Sequence, residues 1–138
     1  MITVRAAPPE DFDWLLNRTG CSITGEFRAL KAVDVAGKVR GMVGFDAWTP
    51  ASCQAHMAAD SPMAWRRLLP AACDYAFRQA GKNVVLGLIP GHNERSLALA
   101  HHMGFRVVCQ LADAWSAGIP LVVHEMRRAD CRWLKEAC

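Results

Sequence analysis

Residues 83–105 constrain the fold more than any other stretch of the chain. Val84, Val85, Leu86, Leu88 and Ile89 form a short apolar run interrupted only by Gly87. Such a run is too continuous to alternate between core and water, and it predicts a strand covered on both faces. Pro90 ends the run, and Gly91, His92 and Asn93 make a polar break. Asn93 is placed to cap a helix in which Leu97, Ala100 and Met103 recur at helical spacing. Gly104 stands where a left-handed C-cap closes that helix before Phe105 opens another strand. A covered strand leading into an amphipathic helix requires layers packed around a sheet. The strand end facing a helix N-terminus is also a place where backbone N–H groups and a hydroxyl can meet a ligand.

The flanking sequence supplies the other layers. Ile2 to Ala6 predicts a first strand, and Pro8-Pro9-Glu10-Asp11 starts a short helix carrying Phe12, Leu15 and Leu16. A loop over 20–25 leads to three strands at 29–35, 39–48 and 52–59, with turns at Gly37-Lys38 and Thr49-Pro50-Ala51. Pro62 to Gln79 predicts the longest helix, which Pro70 should kink by removing one hydrogen bond. After the unit at 83–105, strands are expected at 105–111 and 119–127, with a turn near Gly118. The order implies an α+β fold in αβα layers: a mixed, mostly antiparallel central sheet with helices on both faces.

Composition narrows the classes of function. A chain of 138 residues, 52% hydrophobic and 21% charged, is expected to be one domain with a core of its own. No apolar run approaches the ~20 residues that span a bilayer, and Met1-Ile2-Thr3-Val4-Arg5 lacks a secretory signal's apolar stretch, so the expected location is the cytoplasm. A net charge of +3, with basic pairs only at Arg66-Arg67 and Arg127-Arg128 plus Arg132 and no aromatic interleaving, makes nucleic acid the weakest partner class. The six cysteines, Cys21, Cys53, Cys73, Cys109, Cys131 and Cys138, are scattered without a Cys-x-x-Cys pair and are expected to be reduced. His101 and His102 are adjacent and cannot share a metal from one helix face, so no metal site is expected.

The order apolar strand, Asn-x-x-Ser, then a helix ending in Gly-Phe resembles the C-terminal half of the GNAT superfamily of acetyl-CoA-dependent N-acetyltransferases. The ribosomal-protein and small-amine acetylating branches are nearest. The resemblance covers about residues 27–128 and implies acetyl transfer from acetyl-CoA to a primary amine by direct attack in a ternary complex. It implies that the strands at 52–59 and 83–89 part in mid-sheet, with the pantetheine arm lying in the gap and bonding the earlier strand near Met57 and Ala58. Asn93 would bond that arm or the helix start, and Ser96 would lie near the sulfur. The family's usual acid, a Tyr seven residues after the Asn, is replaced by Ala100, which leaves Ser96 as the hydroxyl for the departing thiolate.

The family's glycine-rich pyrophosphate loop falls on Asp60-Ser61-Pro62-Met63-Ala64-Trp65, where neither glycine is present. Ser61-Pro62 still starts a helix, so the amides of Met63, Ala64 and Trp65, with Arg66 or Arg67, are the expected phosphate partners, and Asp60 is expected to cap the helix and face away. His56 is the favoured base for the acceptor ammonium, with Glu26, Glu125 and His124 behind it. Trp48 and Trp115 are candidate walls of an acceptor pocket. The acceptor is left open among protein N-termini, lysines, polyamines, aminoglycosides and amino acids, and a homodimer is a further expectation. The alternative is a catalytically degenerate GNAT-fold protein that binds acyl-CoA or a protein partner.

Overall fold

The computed structural model describes residues 1–134, so Cys138 lies outside the described residues. Seven strands, β1 Thr3–Ala7, β2 Arg28–Val33, β3 Val39–Asp46, β4 Ser52–Ala59, β5 Val84–Pro90, β6 Arg106–Ser116 and β7 Ile119–Arg127, form one sheet in the order β1-β2-β3-β4-β5-β7-β6. Every neighbouring pair is antiparallel except β4 with β5. The helices are α1 Phe12–Thr19, α2 Pro62–Cys73 and α3 Glu94–Met103. The expected α+β layers and mixed sheet are therefore present.

Strand periodicity divides the core in two. On β3 and β4, Met42 and Ala58 join Phe12, Leu15, Phe27 and Ala29 under α1, whereas Val43, Phe45, Cys53 and Met57 join Ala64, Leu68, Leu69 and Ala72 of α2 on the opposite face. Leu99, Ala100 and Met103 of α3 belong to the same cluster as α2, so two helices share one face and α1 lies on the other. The N-terminal segment between β1 and β2 thus contributes a single α-helix, preceded by a 3-10 turn at Pro9–Asp11.

Several boundaries differ from the sequence reading, each for a local reason. β3 stops at Asp46 because Ala47 turns left-handed at φ 49°. β5 runs through Pro90, whose neighbour across the pair is Leu121. Its Val85 is buried, but Leu86 and Leu88, which point to the α1 face, are only half-buried, so the strand is not covered equally on both sides. Pro70 lies inside α2 without ending it, and the last turns widen into a π-helix over Asp74–Gln79, where Ala80 N–H reaches the Tyr75 carbonyl at 2.8 Å. β6 is longer than expected and exposed along its whole length as the outermost strand.

Candidate active site

Two strands that run side by side and then separate create the site. β4 and β5 pair only at Ser52 with Val84, Cys53 with Val85 and Gln54 with Leu86. Beyond that point Ala55–Ala59 keeps its β3 partners and Gly87–Pro90 keeps its β7 partners, but the two strands no longer pair with each other. Met57 and Ala58 lie on the parted stretch. Because both strands have lost a neighbour on the facing edge, backbone donors and acceptors there are available to an extended ligand.

Both helices that leave these strands begin with a side-chain cap. Asn93 Oδ1 accepts from Ser96 N–H at 3.1 Å at the start of α3, and Gly104, at φ 104°, closes it. The Trp133 indole N–H also donates to the Met103 carbonyl at that end, at 2.6 Å. Ser61 Oγ accepts from Ala64 N–H at 3.3 Å at the start of α2, where Trp65 N–H also bonds the Ser61 carbonyl at 3.3 Å.

A polar pair joins the parted stretch of β4 to the end of β3, on the α1 face of the sheet. His56 Nε2 lies 2.8 Å from Asp46 Oδ1, with side chains 16% and 10% exposed. The pair joins adjacent strands: Gly44 is the residue opposite His56, and Asp46 is two further along β3. A carboxylate accepts only, so Nε2 must carry the proton of the bond and Nδ1 is left as the ring's basic nitrogen whenever His56 is neutral. Phe27 stacks on the imidazole with ring centroids 6.2 Å apart.

No protein-family model matches the chain, and no curated protein matches it. Solved structures do match. Spermidine/spermine N-acetyltransferase SpeG from Vibrio cholerae with manganese ions is 14% identical, with a TM-score of 0.75 and 93% of each chain covered. The spermidine N-acetyltransferase of that organism with CoA and spermine is 13% identical at TM-score 0.73, covering 94% of this chain and 96% of that one. A dodecameric form in an intermediate state is 14% identical at TM-score 0.73, covering 93% and 94%. The chain has the GNAT fold. Its parted strands β4 and β5, and the helices that follow them, are therefore the parts of the GNAT fold on which the expected residues fall.

Ser96 is half-buried in the first turn of α3, and Ala100, one turn on, is buried against the sheet. At the start of α2 the amides are not all free, contrary to the expectation from sequence. Ser61 engages those of Ala64 and Trp65, leaving Met63 N–H as the one of the three outside the cap. Arg66 and Arg67 are exposed. Asp60 does not cap the helix, since Ser61 does; its carboxylate faces Arg18 at 3.6 Å and Arg40 at 3.9 Å, and this compensates the negative charge next to the expected phosphate position.

Three candidates fall elsewhere. Glu125 lies on β7, one strand beyond the gap, where Arg106 and Arg127 bind it. The Arg106 hydrogen bond, aided by the Arg127 charge, holds its carboxyl below the usual range. His124 is fully buried, with Nδ1 3.1 Å from the Val122 carbonyl. Trp115 sits on the outer strand β6, separated from the gap by β7 and β5. Glu26 is exposed, and its carbonyl accepts from the Trp48 indole at 2.8 Å; Trp48 stands in an aromatic group with Phe45 and Tyr75. Sequence reasoning missed Asp46 because nothing in the spacing of residues 46 and 56 announces a cross-strand contact. Among the described residues no group of three or more His, Cys, Asp and Glu is placed to hold a metal, and no helix is long and apolar enough to cross a membrane.

Proposed function

We propose that the chain is an acetyl-CoA-dependent N-acetyltransferase acting on a primary amine. The observation that carries this reading is the parting of β4 from β5 after three residue pairs, beside the capped start of α3, with His56 on the parted stretch of β4 bonded to Asp46 at the end of β3. The pantetheine arm would lie along Ala55–Ala59, bonded near Met57 and Ala58, with Asn93 holding the start of α3. The pyrophosphate would take Met63 N–H and the side chains of Arg66 or Arg67. His56 Nδ1 accepts the proton that the acceptor ammonium must lose, while Asp46 fixes the tautomer and stabilises the imidazolium formed. The neutral nitrogen attacks the thioester carbonyl, the C–S bond breaks, and Ser96 donates a hydrogen bond to the departing thiolate.

The reading takes the chain as one domain working in the cytoplasm, where acetyl-CoA and reduced thiols coexist. Because one related structure is of a polyamine acetyltransferase with CoA and spermine, polyamines head the acceptors to be tried. Because another is dodecameric, we extend the reading to self-association through β6, whose Val107, Val108, Leu111 and Trp115 are exposed. Sedimentation showing only monomer at high micromolar concentration would remove that extension.

The deciding experiment is a thermal-shift titration with acetyl-CoA followed by thiol-release assays on a panel of primary amines. Ligand at 100 times its Kd adds about 2.7 kcal/mol of stability, which for a domain of this size raises Tm by roughly 5 to 15 °C. No shift at millimolar acetyl-CoA overturns the reading. A shift without turnover on any amine instead selects the degenerate binder, which the engaged amides of Ala64 and Trp65 and the loss of the family's Tyr at Ala100 favour.

A further inference from the structure

His56 stands on a face of the sheet that is only half covered. Met42 and Ala58 lie under α1, and residues two apart on a strand share a face, so Gly44, Asp46, Gln54 and His56 face the same way. Gln54 is level with Leu86 where β4 and β5 still pair, and Leu86 and Leu88 are level with Glu125 and Val123 on β7. The α1 face therefore continues across the gap as Leu86, Leu88, Val123 and Leu121, and then as Leu111 of β6, which pairs with Leu121. α1 itself packs on β3 and β4. The four residues of β5 and β7 are half-buried, Leu111 is exposed, and none of the five is packed into either buried cluster.

Charge on this face is already neutralised. Of the residues that β3, β4, β5 and β7 set there, two are carboxylates: Asp46, bonded to His56, and Glu125, held by Arg106 and Arg127. An ammonium group laid over Leu88 and Val123 would lose water and find no unengaged carboxylate on these strands, whereas an alkyl or aryl group there gains by leaving water. An amine that gives its proton to His56 comes from this side, because α2 and α3 cover the other.

Resting on the N-acetyltransferase reading, we propose that the bare α1-side face of β5 and β7 is the acceptor platform, and that the acceptor is a primary monoamine on an apolar alkyl or aryl body. The amine end sits beside His56 at the gap, and the apolar body runs over Leu88 and Val123 toward Leu121 and Leu111. One ammonium proton passes to His56, the amide C–N bond forms as the thioester C–S bond breaks, and the second proton leaves with the thiolate as the thiol of CoA. The side chains of β5 and β7 act on specificity by binding the part of the acceptor that does not react. A polyamine fits this face poorly, since each further ammonium needs a carboxylate that Arg106, Arg127 or His56 already engages.

The test measures CoA release by the full chain with butylamine, hexylamine and octylamine, with the six-carbon diamine as a dication of matched length, and with spermidine. The expected kcat/KM rises about threefold per methylene along the alkyl series. Hexylamine should exceed the six-carbon diamine by about tenfold or more, although both present the same reacting group. Val123→Glu places a carboxylate on a strand that does not border the gap, and it should reduce that preference by about tenfold or reverse it; the acetyl-CoA thermal shift of the variant shows whether it folds. Diamine or spermidine turned over as well as hexylamine or better overturns the proposal and leaves the N-acetyltransferase reading standing. Acetyl-CoA binding without turnover of any amine overturns both. Rates that stay flat along the alkyl series, with Val123→Glu turning an oligomer into a monomer, assign the face to a second copy of the chain and overturn the proposal as well. The alkyl series is read on the native chain, so it decides the matter even where the variant fails to fold.

Discussion

Gly44 lies opposite His56 on the neighbouring strand, and the Phe27 ring passes directly over it. A Cβ at this position would stand 2.1 Å from Phe27 Cζ, 2.6 Å from Cε1 and 2.9 Å from Leu15 Cδ2. Ordinary carbon contacts begin near ~3.5 Å, so Gly44→Ala requires the ring to retreat by more than an ångström. It has little room to do so. Phe12 meets its edge at a centroid distance of 4.9 Å, the His56 imidazole stacks at 6.2 Å, and Leu15, Ala29 and Met42 close the rest of the cluster. Overpacking of this kind costs about 1 to 3 kcal/mol, and the depth of the overlap places this site in the upper half of that range. Replacing glycine within a strand offsets roughly 0.5 to 1 kcal/mol, leaving a net loss of about 1 to 2.5 kcal/mol. Urea denaturation at constant m-value measures it. Phe27→Leu vacates the space the new methyl needs, so the double variant should be less destabilised than the sum of the singles by about 1 kcal/mol. A neutral Gly44→Ala, or strictly additive singles, would refute the claim that the ring is pinned over Gly44.

Acid should weaken the fold in a defined window. Arg106 holds the Glu125 carboxyl below the usual range, Gln79 and Arg78 do so for Asp74, and the Lys38 and Ala36 amides do so for Asp34. These groups are depressed in the folded chain, so their stabilisation is complete above the unfolded values near ~4 and is lost as pH falls through the folded ones. The urea midpoint should therefore drop between pH 5 and pH 3, and a flat profile there would contradict these pairings. Ala47→Gly should stabilise by about 0.5 to 1 kcal/mol, since Ala47 is exposed and sits at φ 49°, where glycine is unstrained; a lower denaturation midpoint would mean that the left-handed turn carries no strain.

The parts of this structure that were legible in sequence are those with a local signal. The caps at Ser61 and Asn93, the closing Gly104 and the apolar run from Val84 announce their elements through one residue type at one offset. The end of β3 was hidden because alanine carries no mark of a left-handed backbone, and the length of β6 was hidden because a strand exposed on both faces has no hydrophobic period. His56 was readable as a candidate base from its type and strand, but its contact with Asp46 was not, since it depends on the register of β3 against β4. The same limit left Glu125 a candidate base, since the register of β6 against β7 is what sets Arg106 opposite it.

The three residue pairs between β4 and β5 have a consequence for how the molecule opens. β1 to β4 form a continuous antiparallel meander, and β5, β7 and β6 form another sheet segment with long registers of their own. Among the described residues, Ser52, Cys53 and Gln54, with the Ala51 carbonyl that accepts from the Asn83 and Val84 N–H groups, stitch the two half-sheets together through the backbone, and the helical layer bridges them on one side. Cooperative opening in native proteins follows such seams, so amide hydrogens in the two halves should exchange as separate units, with those at the seam opening most readily. A ligand lying across the seam would act as an additional stitch, and its protection would extend along both half-sheets to amides it never touches.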